Sequence, residues 1–150
     1  MLKLLLVSLG LTAITVLIHG LSTLYYILFL AKNWKKKRYS QNNLGVEILL
    51  MELVGFLLVL HLTEAGLWAG FYFAGRLVPT FETAMYYSLT SYTTVGYGDV
   101  ILSGSWRLMG PIEASVGVLM MGWSTGVIVT VILRAYTSRL KLFSTGQEKP

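Results

Sequence analysis

Cysteine is absent from the 150 residues, which excludes a disulfide framework, a thiolate metal site and a thiol nucleophile. Charge is scarce too: 12 Lys and Arg and 7 Asp and Glu make up 13% of the chain, against 55% hydrophobic residues. That balance lies well outside a soluble domain of this length and puts the chain in a membrane. Imidazole comes only from His19 and His61. No nucleophile, base and orienting group fall together in a cleft-like region, so an enzyme is not expected and no cofactor is implied. The net charge of +5 is carried mostly by Lys and Arg beside apolar runs, which indicates topology and not nucleic-acid binding.

What is present is a set of long apolar runs. Residues 4–31 hold no Asp, Glu, Lys or Arg, and about 20 apolar residues suffice to cross the hydrocarbon core. A signal peptide is the rival reading, but its apolar region is at most about 15 residues and no small-residue cleavage site stands out here. Lys32, Lys35, Lys36, Lys37 and Arg38 follow, with Trp34 among them. The positive-inside rule makes this 32–45 loop cytoplasmic and the N-terminus external, and a basic cluster there can also recruit anionic lipid. A second span over 46–73 is interrupted by Glu47, Glu52, His61 and Glu64. Ionisable groups at membrane depth are costly and face protein or water. His61 and Glu64 are three apart, so they share a helix face. Gly66 and Gly70 have the small-xxx-small spacing that lets a helix come close. Trp68, Phe71 and Tyr72 fit either an interfacial belt or core packing.

A short helix is expected over 80–92, begun by Thr80 as a cap with Glu82 in its first turn. It is too short to span. Between it and the third span, 108–134, lies Thr93-Thr94-Val95-Gly96-Tyr97-Gly98-Asp99. A loop whose backbone carbonyls all face one axis could strip and hold a cation. Gly96 and Gly98 can take the positive φ that such a run demands, leaving Val95 and Tyr97 to point outward into packing. One chain offers one oxygen per level, so several copies are required. A helix that feeds such a loop would form a re-entrant hairpin covered by protein or water. Residues 114–133 carry no charge and Arg134, Arg139 and Lys141 follow, placing the 136–150 tail in the cytoplasm. Nine of the twelve basic residues then lie inside.

Residues 94–98 resemble the potassium-channel signature TVGYG, the established carbonyl-built filter contributed by four subunits. Asp99 follows where that family usually has it. The chain thus looks like a bacterial two-helix-pore channel with an additional N-terminal helix. The resemblance implies an all-α membrane protein, tetrameric, in the plasma (inner) membrane. It would have an outer helix 46–73, pore helix 80–92, filter 93–99 and inner helix 108–134 within a pore domain 46–135. Potassium would be held by Thr94, Val95, Gly96, Tyr97 and Gly98 and by no other site. Thr93, Asp99, Tyr86, Tyr87 and Thr90 would form the support and outer mouth, with Thr90 standing where many relatives carry a carboxylate. Gly117, Gly122 and Gly126 are candidate gating bends or close-packing sites. Part of the segment 120–126 is expected to face the cavity or a neighbouring subunit. No Arg-rich helix at three-residue spacing marks a voltage sensor. His61 with Glu64, together with His19 or Glu113, is a candidate proton-responsive group, with plain hydrogen-bonded structure as the alternative for these and for Glu52. The partners implied are lipid and three further copies of the chain. A non-conducting subunit or scaffold that keeps the pore fold is the alternative function.

Overall fold

The computed structural model describes residues 1–33 and 43–146, with side chains described through 137. The expected basic loop residues Trp34, Lys35, Lys36, Lys37 and Arg38 lie outside the described residues, as do 147–150 of the tail. Among the described residues the chain is wholly helical: α1 (Leu2–Asn33), α2 (Asn43–Ala74), α3 (Phe81–Tyr92), a 3-10 turn (Gly104–Leu108) and α4 (Met109–Gly146). α1, α2 and α4 are long and apolar enough to cross a membrane, so this is a multi-pass membrane protein. α4 runs on past Arg134 through most of the residues assigned to the tail.

α1 shows why membrane solvent inverts the usual pattern. Its buried stripe is Leu4, Ser8, Leu11, Thr15, His19, Thr23 and Leu30, at helical spacing. Its exposed face is Leu5, Leu6, Leu9, Leu17, Leu21, Leu24 and Leu28. Lipid is as apolar as leucine, so the helix turns its small and polar residues inward, where packing and hydrogen bonds reward them. Thr15 Oγ1 donates to the Leu11 carbonyl at 2.9 Å and Thr23 Oγ1 to the His19 carbonyl at 2.8 Å. Each hydroxyl therefore satisfies itself on its own helix.

α1 packs on α2 and α4, and α3 is held between α2 and α4. The apolar interior is split into two clusters. One gathers Trp68, Tyr72, Tyr87, Tyr92, Met109 and Val116 with Leu4 and Leu11 of α1. The other gathers Leu49, Leu53, Leu57, Leu60, Val127 and Val131 with Leu30. Between them, by position along all three long helices, lie His19, His61, Glu64 and Ser124. Trp68 and Tyr72 are fully buried, which decides for the core over an interfacial belt. The Trp68 indole donates to Thr15 Oγ1 at 3.1 Å. Trp106 packs on Phe71, ring centroids 5.6 Å apart, and Lys3 lies 6.0 Å from its ring.

The glycine expectations separate. A Cβ on Gly66 or Gly70 would meet nothing within 4 Å, so within one chain the small-xxx-small pair receives no helix. A Cβ on Gly117 would stand 2.0 Å from the Tyr92 carbonyl oxygen. That glycine is where α4 passes against the end of α3. Gly122 and Gly126 have open space. The 120–126 segment also divides: Met120 and Ser124 are buried inside the chain, while Gly122, Thr125 and Gly126 are exposed.

Because the Tyr92 carbonyl is backbone, it cannot swing away from an added methyl. Gly117→Ala is expected to lower the thermal unfolding midpoint, with a cost at or above the about 1–3 kcal/mol typical of overpacking. Gly10→Ala, whose Cβ would meet nothing within 4 Å, is the control and is expected to leave the midpoint unchanged or raised.

Candidate functional site

The loop 93–99 is positioned by α3. Thr80, with extended φ −133° and ψ 157°, accepts the Thr83 amide at 3.1 Å, and Glu82 sits in the first turn. Both favour a helix starting here. At the other end the chain folds back on the last turn: the Thr93 amide donates to the Leu89 carbonyl, Thr94 to Ser91 at 2.9 Å and Gly96 to Thr90 at 3.0 Å. Carbonyls left over at a helix C-terminus are thus taken up by the loop. Within it φ is positive at Thr94 (63°), Gly96 (50°) and Gly98 (79°). For the two glycines this costs little, but a β-branched threonine there costs on the order of 1–3 kcal/mol.

All of 93–99 is exposed in the single chain. Val95 and Tyr97, expected to pack outward, find little of that packing within one chain: Tyr97 is 72% exposed and lies against Tyr86 with rings 13° from parallel. A cavity of about 330 Å³ opens beside the loop, lined by Thr90, Ser91, Thr94, Gly96, Arg107 and Gly110 among others.

The two adjacent tyrosines go to different places. Tyr86 donates its hydroxyl to Asp99 Oδ2 at 2.7 Å, and the Val100 amide donates to Oδ1 at 3.0 Å. Tyr87 turns into the core, edge-on to Tyr72 at 5.1 Å, with its hydroxyl where a side chain on residue 110 would have to go. Thr90 donates to the Tyr87 carbonyl at 3.0 Å. The aspartate's partner is therefore Tyr86 and not the residue at 90. The Tyr86 hydrogen bond favours the charged carboxyl and holds Asp99 below the usual carboxylate range, while the carboxylate raises the Tyr86 hydroxyl.

Behind the loop lies a second polar group. His19 Nδ1 is 2.8 Å from Glu64 Oε1, and Tyr92 donates to Glu64 Oε2. His61 Nδ1 is 3.0 Å from the Tyr92 hydroxyl and 3.4 Å from Glu64 Oε2. Ser124 Oγ stands 3.0 Å from His61 Nε2 and 3.4 Å from His19 Nε2. Sequence spacing paired His61 with Glu64 but missed Tyr92 and Ser124. The available signal was polar residues at matching depth in an otherwise apolar chain. Glu113 does not join the histidines but lies fully buried with Tyr72, whose hydroxyl donates at 2.7 Å, and with Ser88. Glu52 lies on the exposed side of α2, away from both groups.

His19, His61 and Glu64 each offer one ligand-type atom within 4.8 Å of the others. Tetrahedral ligands bonded at about 2.0–2.1 Å stand about 3.3 Å apart, whereas His19 Nδ1 and Glu64 Oε1 are already at hydrogen-bond distance. The atoms are engaged with one another.

A family model described as "Ion channel" matches residues 48–134, more than half of the chain. The match takes in most of α2, all of α3 and the loop, and α4 to Arg134; α1 lies outside it. No curated protein and no solved structure matches the chain.

Removing the Tyr86 hydroxyl removes the main cause that holds Asp99 below the usual carboxylate range. Since the shift is downward, the carboxylate now survives to lower pH than a free aspartate. Tyr86→Phe is expected to move its titration up toward the ordinary range, as measured by carbon NMR of labelled Asp99, whereas Tyr87→Phe leaves it in place.

Proposed function

The chain belongs to this ion-channel family, and on that premise we propose that it is a potassium-selective channel whose filter is residues 94–98 from four copies of the chain. The observation that carries the reading is the backbone of that loop. Positive φ recurs at alternate positions, 94, 96 and 98, and alternation of left-handed and ordinary backbone allows successive peptide oxygens to be aimed at one axis. Rings of such oxygens replace the hydration shell of a potassium ion. The strained Thr94 supports a functional demand, because a β-branched residue adopts that conformation only where its surroundings impose it.

On this reading α3 is the pore helix of a re-entrant hairpin, with its C-terminal partial negative charge directed at the ion. Irregular backbone at membrane depth requires cover by protein or water. The exposed Val95, Tyr97 and Thr93 and the open cavity beside them support neighbouring copies as that cover. Asp99, hydrogen-bonded by Tyr86, would concentrate cations at the outer mouth. Smaller sodium gains less from the same oxygens, so selectivity resides in the filter. Adjacent rings hold ions in file, and repulsion between them offsets tight binding. The charge distribution supports an external N-terminus and a cytoplasmic C-terminus, and the resemblance to bacterial channels supports the plasma (inner) membrane.

Purified protein in liposomes is expected to carry potassium in preference to sodium by at least about tenfold, a difference of about 1.4 kcal/mol, and to be blocked by barium. Gly98→Ala, which places a Cβ on a residue at φ 79°, is expected to abolish the preference. Equal flux of both ions, or none, would overturn the proposal in favour of a less selective pore or a non-conducting subunit.

A further inference from the structure

The polar group behind the loop is closed into a ring, and the ring can be counted. Its five contacts run from His19 Nδ1 to Glu64 Oε1 at 2.8 Å, from Glu64 Oε2 to the Tyr92 hydroxyl, and from that hydroxyl to His61 Nδ1 at 3.0 Å. They continue from His61 Nε2 to Ser124 Oγ at 3.0 Å and from Ser124 Oγ back to His19 Nε2 at 3.4 Å. Each contact needs one hydrogen between its two atoms. With Glu64 ionised and both imidazoles neutral, the five groups hold four: one on each histidine, one on Tyr92 and one on Ser124. One contact must then set lone pair against lone pair. A fifth proton, on an imidazole or on the carboxyl, fills every contact and brings the ring to zero net charge.

Burial favours the same state. Glu64 and His19 have no exposed side-chain surface and His61 has 18%. A lone carboxylate sealed among apolar helices is costly, and an unfilled polar contact adds to that cost. Among the described residues, the groups at the ring are His19, with Thr15 and Thr23 on the same buried stripe of α1, His61 and Glu64 from α2, Tyr92 from α3, and Ser124 with Trp123 from α4. The other acid buried among the described residues, Glu113, is held by Tyr72 and Ser88.

The ring joins four helices, and two of its members place it functionally. His19 belongs to α1, which lies outside the matched ion-channel region. Tyr92 is the last residue of α3, immediately before the loop. We propose that the ring is a one-proton latch that ties α1 to the end of α3, closed with five protons and opened when the fifth leaves. Opening leaves a buried net negative charge and a contact without a hydrogen, both of which weaken the hold of α1 on the support of the loop. The proposal rests on ion-channel membership and not on potassium selectivity.

The test uses the full chain in liposomes, with nitrogen-labelled histidine followed by solid-state NMR and the carboxyl band followed by infrared from pH 5 to 9. One proton per chain is expected to leave the ring as pH rises, seen as loss of a doubly protonated imidazole signal or of the protonated-carboxyl band assigned to Glu64. Glu64→Gln supplies amide hydrogens of its own, so the five contacts fill without an extra proton and the step is expected to disappear. Ser124→Ala leaves three contacts and three hydrogens, so the unfilled contact is gone while the buried carboxylate remains, and the step is expected to move to lower pH, which covers the case in which the first variant does not fold. A ring with the same proton content throughout, or a step that persists unchanged in the variants, would overturn the proposal. Cation flux measured in the same liposomes is expected to change over the same pH interval in the wild type and not in Glu64→Gln; a proton step with pH-independent flux would overturn the latch. Liposomes that carry no cation at all count against the channel reading, while the magnetic resonance still decides the proton.

Discussion

A carboxyl group in the middle of a membrane-spanning helix has no water to turn to, and the packing of this protein is arranged around giving Glu64 other partners. It is fully buried. Its two oxygens are met by a histidine from α1 and a tyrosine from α3, and both contacts exist only if those helices sit at one depth and one rotation about their axes. Apolar packing alone would not impose this, because leucine gains nothing from leaving lipid for leucine. The polar layer therefore acts as the register mark between two apolar clusters that could otherwise slide.

The same constraint explains the inward face of α1. Ser8, Thr15, His19 and Thr23 share the buried stripe, and each finds a partner on its own helix or across the interface. Trp68 reaches Thr15 across α1 and α2, Tyr72 reaches Glu113 across α2 and α4, and Ser88 lies between Glu113 and the Ala65 carbonyl. Helix pairs are thus joined by polar contacts among aromatic surfaces. α4 comes close to α3 at Gly110, against the Tyr87 hydroxyl, and at Gly117, against the Tyr92 carbonyl, where any side chain on α4 would push α3 and its loop away.

The loop is anchored from three directions by short-range means. Its amides take up the last carbonyls of α3, Asp99 is tied back to Tyr86, 13 residues before it in the chain, and α4 closes behind Tyr92. Among the described residues little covers Val95 and Tyr97, which are largely exposed. The fold of one chain therefore supplies a rigid support and leaves the loop's other face open for contact.

The three spans, the capped short helix and the glycine loop were legible in the residues themselves, because run length, a Thr-x-Glu start and Gly at alternate positions act over a few neighbouring residues. The channel motif was legible for the same reason: its five residues are contiguous. His61 and Glu64 were recognisable as a pair because helical spacing is local. What sequence could not decide was which distant groups would meet. His19 lies 45 residues from Glu64, Tyr92 28 residues from it and Ser124 105 from His19. Only the crossing of helices selects those partners, sends Glu113 to a different pocket and assigns Asp99 to Tyr86 instead of position 90. Periodicity says which way a side chain faces along its own helix; the depth and rotation of the neighbouring helix determine what it touches.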